Sequence, residues 1–167
     1  MDTIARSDAA WSTTTKNAGL GWLVINREQR TLQKRGVSVI SSVLVEEGLA
    51  LKEAVATCRH QDIKEVQFES DSTQLIKSIN KKSPTLEMYG IVEDIHILAS
   101  AFDRVAFEWI PRKRNSEADM LAKNVLFCYK KRSVLNTNIE RVKLLEEEEA
   151  QILAKLLLIE ESLPLVS

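Results

Sequence analysis

Four carboxylates, Asp8, Glu47, Asp71 and Asp119, fall at or near the boundaries of the elements that this 167-residue sequence specifies. Taken singly, three of them have ordinary structural uses. Asp71 follows "QFES" and precedes "STQLIKSI", the position of a helix N-cap. Asp119 lies three residues after Ser116, and "SEAD" fits a Ser-x-x-acid helix start, with Asn115 or Ser116 as the cap. Asp8 fits a polar residue on a strand. Glu47 is different. At 100° per residue, Ala50, Leu51, Ala54 and Cys58 cluster within about 60° of it, in the middle of an apolar helical stripe. Its neighbour Glu46 points about 100° away, near Glu53, toward solvent. An ionised carboxylate aimed at a core is costly unless a cation meets it. A metal ion or a buried Arg would each serve.

The elements that must position these acids are legible from periodicity. "TIARSDAAW" reads as a strand, and "AGLGWLVINREQRTLQKRGVSVI" as two more joined by the polar turn "NREQR", giving an antiparallel meander. From residue 43 the period changes. "VLVEEGLALKEAVATC" has helical spacing, "KEVQFES" is a short strand, and "DSTQLIKSI" starts a second helix. "TLEMYGIVEDIHILASAF" is a further amphipathic helix, "RVAFEWI" a strand, and "SEADMLAKNVLFCYKK" a helix. The order βββαβααβα predicts an α/β domain, with helix-separated strands added in parallel to the meander in one five-stranded mixed sheet. The segment "NIERVKLLEEEEAQILAKLLLIEESL" carries apolar residues at 145, 152, 156, 159 and 163, an amphipathic helix of about 20 residues or more. We place the main domain at residues 1–136 and this acidic helical tail at 137–167. Its stripe is expected to dock on its own domain, on a partner protein or on a second copy. An acidic polar face argues against a membrane surface.

Composition narrows the classes further. An apolar content of 44 % is ample for one packed core. Cys58 and Cys128 are too few and too far apart for a disulfide framework or zinc cluster, and both fall among apolar residues. They read as reduced core thiols of an intracellular protein. The N-terminus has neither a signal-peptide core nor an Arg-rich leader, and no run approaches a membrane span, so the protein is expected to be soluble, with no membrane partner. A net charge of -1 conceals an uneven division. Residues 137–167 hold three basic and seven acidic residues, whereas residues 1–136 hold twenty basic and seventeen acidic ones. The main domain therefore permits phosphate binding. His60 and His96 belong to no catalytic motif.

The segments "SDAAW", "AGLGW", "EEGLALKEA", "FESDSTQLI" and "PRKRNSEADMLAK", in this order and spacing, resemble the ribonuclease H fold. They are most similar to the plant reverse-transcriptase-like group of type 1 ribonuclease H domains. The likeness runs from about residue 4 to 128 and is specific as a set. It implies an Asp-Glu-Asp-Asp constellation of Asp8, Glu47, Asp71 and Asp119 that binds two Mg2+ ions, with Mn2+ as a possible substitute. Such ions suit oxygen ligands and support in-line phosphodiester cleavage. The implied reaction is endonucleolytic cleavage of the RNA strand of an RNA/DNA hybrid. Discrimination would come from 2′-hydroxyl contacts and backbone shape. Asn17, Ser72 and Asn115 match positions where the family places substrate contacts, and Arg112, Lys113 and Arg114 are candidate phosphate contacts. Many active members carry a His in the loop before the last Asp, and "IPRKRNSEAD" has none. The usual Gly after the first Asp is Ala9, and the usual Ala residues flanking the Glu are Glu46 and Gly48. An alternative reading is a catalytically inactive or slow module that binds nucleic acid or protein.

Overall fold

Alternation of apolar with polar or small residues marks the first strands, which form the expected meander: β1 (Ile4–Trp11), β2 (Ala18–Ile25) and β3 (Arg30–Val37). The computed structural model describes the backbone of residues 1–38 and 40–162, and the side chains of that span except at positions 129, 130, 133, 134, 137 and 159–162. After the meander come α1 (Val43–His60), β4 (Glu65–Ser70), α2 (Thr73–Asn80), α3 (Tyr89–Ala99), β5 (Arg104–Trp109) and α4 (Ser116–Ser162). Single 3-10 turns at Leu86–Met88 and Arg112–Arg114 lead into α3 and α4. The sheet order is β3-β2-β1-β4-β5, antiparallel between β1, β2 and β3, and parallel from β1 to β4 to β5. The mixed five-stranded sheet read from the sequence is the one observed.

The chain divides into two compact units, Met1–Tyr129 and Lys130–Ser167. In the first, β2 is buried along nearly its whole length because both of its faces are covered. Leu20, Trp22 and Val24 join α1 residues Ala50, Leu51, Ala54 and Val55, together with Phe68, Met88, Val92 and Ile95, in the main core. Each large side chain so buried contributes roughly 1.5–3 kcal/mol. Trp22 keeps its indole N–H satisfied by donating to Thr57 Oγ1 at 2.8 Å. The other face of β2 is bare where Gly19 and Gly21 stand, and α4 packs onto it. A Cβ at Gly19 would lie 2.1 Å from the Ala122 carbonyl oxygen, and one at Gly21 would lie 2.5 Å from that of Ala118. Main chain rests on main chain there.

Two expectations need correction. The helix beginning at "SEAD" and the amphipathic tail helix are one element, α4, because no Pro or Gly interrupts residues 116–162. Cys58 is buried, and burial pushes its thiol up to about 12, but Cys128 is exposed on α4 rather than in the core. In the second unit, Leu135, Ile139, Val142, Leu145, Ile152 and Leu156 are all more than half exposed. The position expected to extend that stripe to 163 lies outside the described residues. Among the described residues no helix is long and apolar enough to cross a membrane.

Candidate metal centre

The parallel β1–β4 ladder pairs Ile4 with Gln67, Ala5 with Phe68 and Arg6 with Glu69, and stops there. Asp8 and Asp71 each lie two residues beyond the last pair, Asp8 in the middle of β1 and Asp71 just past the carboxyl end of β4. Open α/β sheets have their ligand crevice outside the carboxyl ends of parallel strands. The first turn and a half of α1 brings Glu47 to the same place. Carboxylate oxygens of Asp8, Glu47 and Asp71 lie within 4.8 Å of one another.

Asp119 arrives by a different route. Asp8 pairs with Gly21 across the β1–β2 ladder, and Gly21 lies directly beneath the Ala118 carbonyl. The first turn of α4 is thereby set beside Asp8, and Asp119 is close enough for its charge to raise the Asp8 carboxyl. Its oxygens fall outside the tight trio and face cations instead: Lys123 Nζ at 2.7 Å and Arg112 Nη2 at 3.6 Å. Three of the four sequence-derived acids thus converge, and the fourth stands at their margin.

The trio is electrostatically unsatisfied. Asp8 is 3 % exposed; its Oδ1 accepts from the neighbouring Ala9 N–H at 2.9 Å, and its carboxyl shares a hydrogen bond with that of Glu47. Asp8 Oδ2 and Glu47 Oε2 are buried without a hydrogen-bond partner. Burial first, and then Asp71, holds Asp8 well above the ordinary carboxylate range; burial first, and then Asp8, does the same to Glu47. Glu69, 2 % exposed in the same sheet, shows what satisfaction looks like here. It accepts from Arg6 Nε at 2.7 Å and from Gln67 Nε2 at 2.9 Å. The contrast bears on the two uses of Glu47 left open by the sequence. Among the described residues no Arg meets it, and a cation with several oxygen ligands would resolve the repulsion. The donor set, all carboxylate oxygen, fits a hard divalent ion.

Other site residues sort clearly. Ser72, not Asp71, caps α2, its Oγ accepting from the Leu75 N–H at 3.4 Å. Asp71 is left free for the cluster. Asn115 is fully buried and spends its side chain on tertiary contacts rather than capping: Nδ2 donates to the Ser7 carbonyl at 2.9 Å and to Asp71 Oδ1 at 3.1 Å. Beside the acids lies a cleft of about 420 Å³, whose walls include Ser42, Glu47, Asp71, Ser72, Glu87 and Arg112. Asn17 and Arg114 are not among its walls; Asn17 holds the β1–β2 turn through its carbonyl, and Arg114 lies 3.8 Å from Glu69. Lys113 is exposed.

Glu46 is a correction. Expected in solvent, it is 1 % exposed, with Oε2 unpartnered, and burial followed by Asp8 pushes its carboxyl up to about 8. Helical angle alone misplaced it because α1 is covered on more than one side: α1 packs on β1 and β2 as well as on α3. Trp109, whose indole donates to the Asp71 carbonyl at 3.0 Å, was also missed. Its position one residue before "IP" was the available signal.

A family model described as reverse transcriptase-like matches residues 6–125. The chain belongs to the reverse transcriptase-like family. No curated protein sequence matches it. Among solved structures, the family member described here is similar to the N-terminal RNase H domain of a Mycobacterium tuberculosis protein, solved as a fusion with maltose-binding protein. The TM-score is 0.72 at 20 % identity, over 78 % of this chain and 97 % of that one. It is also similar to RNase H1 from the halophilic archaeon Halobacterium salinarum, with a TM-score of 0.66 at 20 % identity over 74 % and 96 % of the two chains. A third likeness is to LC11-RNase H1, isolated from compost by a metagenomic approach and solved with an RNA/DNA hybrid. There the TM-score is 0.63 at 20 % identity over 73 % and 94 %. The fold of this reverse transcriptase-like chain is ribonuclease H-like.

Proposed function

We propose that residues 1–136 form a metal-dependent endonuclease that cleaves the RNA strand of RNA/DNA hybrids. The observation that carries this reading is the trio Asp8, Glu47 and Asp71, with oxygens within 4.8 Å and two of them buried without partners. Its position where the parallel β1–β4 ladder ends, and the likeness to a domain solved with an RNA/DNA hybrid, support the substrate class. Two Mg2+ ions, or Mn2+ in their place, would supply the charge that activates a water and stabilises the leaving oxygen of an in-line displacement. Asp8, Glu47 and Asp71 would hold the cations, with Asp119 joining from α4. Asn115 fixes the Asp71 carboxylate through its amide. Arg112, at the wall of the cleft, offers a phosphate contact, as do Lys113 and Arg114 on the adjoining turn. Ser72 and Asn17 offer hydroxyl and amide contacts to the sugar-phosphate backbone.

Incubation of a labelled hybrid with the protein in Mg2+ should yield cleaved RNA with the DNA strand intact, and Asp71→Asn should abolish it. Intact hybrid in both Mg2+ and Mn2+ would overturn the reading. One observation favours a slower, binding-only alternative: Asp119 is engaged by Lys123 and Arg112. Hybrid binding that weakens with salt and survives in Asp71→Asn, with no cleavage by either protein, would favour it.

A further inference from the structure

We propose that the second unit is an antiparallel coiled-coil dimerisation element whose partner is a second copy of this chain. Along α4 a seven-residue repeat places Leu135, Val142 and Leu156 at one seam position, and Leu145 and Ile152 at the other. All five are more than half exposed. A 3.5-residue apolar period of this kind marks a helix that winds about another helix.

Two features identify the partner and its direction. The repeat is interrupted at one residue of each seam position, Asn138 and Glu149. Aligned in parallel and in register, two copies would set Glu149 against Glu149 inside the seam, and the run Glu146–Glu149 against itself. Charge also divides along the helix: Lys131, Arg132, Arg141 and Lys143 precede residue 146 with only Glu140 opposing them, whereas Glu146 to Glu149 follow with only Lys155 before residue 159. An antiparallel copy lays the basic half on the acidic half.

One register satisfies both features. With the two-fold axis between residues 143 and 144, Leu135 meets Ile152 of the second copy and Val142 meets Leu145. Asn138 meets Glu149, so that the two polar interruptions fall in the same layer and the amide donates to the carboxylate. Arg141 then flanks Glu148 across the seam. The contact is self-complementary, as a two-fold dimer requires. Polar pairs within a seam and charges beside it are the means by which coiled coils fix register and direction.

The test uses the full chain. Light scattering during size-exclusion chromatography should give twice the 18.9 kDa chain mass. Arg141→Glu should weaken the dimer at least tenfold, and adding Glu148→Arg to it should restore association. In a Cys128→Ser background, Leu135→Cys with Ile152→Cys should cross-link on oxidation, whereas Leu135→Cys alone should not. A monomeric mass at all concentrations, a larger assembly, or a disulfide dimer from Leu135→Cys alone would overturn the proposal. None of these readouts depends on hybrid cleavage.

Discussion

Asn115 donates its side-chain amide to Asp71 at 3.1 Å, joining the turn before α4 to the end of β4 across 44 residues of chain. The same nitrogen reaches the Ser7 carbonyl one residue before Asp8, at 2.9 Å, so a single buried amide ties two strand ends that carry cluster carboxylates. Asn115→Ala should cost about 1–3 kcal/mol, because it strands a buried carbonyl and a carboxylate oxygen. For a chain of this size that is a fall of roughly 2–4 °C in Tm per kcal/mol, measurable by thermal denaturation. Asn115→Asp should be worse than Ala above neutral pH, since it adds a carboxylate to the cluster.

Metal and proton should compete for the trio. Asp8 and Glu47 are both held well above their ordinary pKa, Asp8 by burial and the charge of Asp71 and Glu47 by burial and the charge of Asp8, so without a cation they retain protons that the unfolded chain would release. Adding Mg2+ or Mn2+ should raise Tm, and the gain should grow from pH 5 to pH 8 as protons leave. At a metal concentration of 100 Kd the stabilisation would be about 2.7 kcal/mol. Asp8→Asn should remove the metal-dependent shift; a gain of equal size in that variant would show that the ion binds elsewhere.

Glu46 offers a cleaner pH signature. Its folded pKa is raised to about 8 from 4.5, so its contribution to stability is fully present below about 4.5 and is lost as pH rises through about 8. Glu46→Gln removes that loss. Wild type and variant should have similar Tm near pH 5 and should separate by pH 9, with the variant higher. Asp8 and Glu47 depress both curves in the same sense, and the difference between the curves isolates Glu46.

The contact of α4 with β2 predicts a steep packing penalty. Gly19→Ala would drive a Cβ to 2.1 Å from the Ala122 carbonyl oxygen, and neither backbone can yield without shifting an element. Overpacking of this kind costs typically about 1–3 kcal/mol, occasionally more. Gly90→Ala makes a useful control, because nothing lies within 4 Å of its Cβ position. Urea denaturation of the two variants should separate them by at least 1 kcal/mol.

Local pattern carried most of the architecture. The switch from strand to helical period at residue 43 is written in "VLVEEGLALKEAVATC", and α1 begins at Val43. Glu47 was conspicuous because a charge interrupted an apolar stripe, and its carboxylate does meet Asp8 and Asp71. What escaped depended on partners distant in sequence. Glu46 looked solvent-facing on its own helix because nothing in its neighbourhood reveals how many sides of α1 are covered. Asn115 looked like a cap because the alternative acceptors, Ser7 and Asp71, are 108 and 44 residues away. The junction of the last two helices was missed for another reason: the two stretches were read separately, yet no Pro or Gly stands between them to end a helix.

The bare strip on β2 has one more consequence. Because α4 approaches β2 closely enough for the carbonyls of Ala118 and Ala122 to lie over the two glycines, the location of Asp119 is inherited largely from backbone geometry. Exposed positions such as Met120 and Asn124 can drift through sequence change without dragging that carboxylate with them. A substitution in the small residues beneath would displace it at once. In a set of divergent relatives, Gly19, Gly21, Ala118 and Ala122 should therefore vary together with Asp119, or not at all.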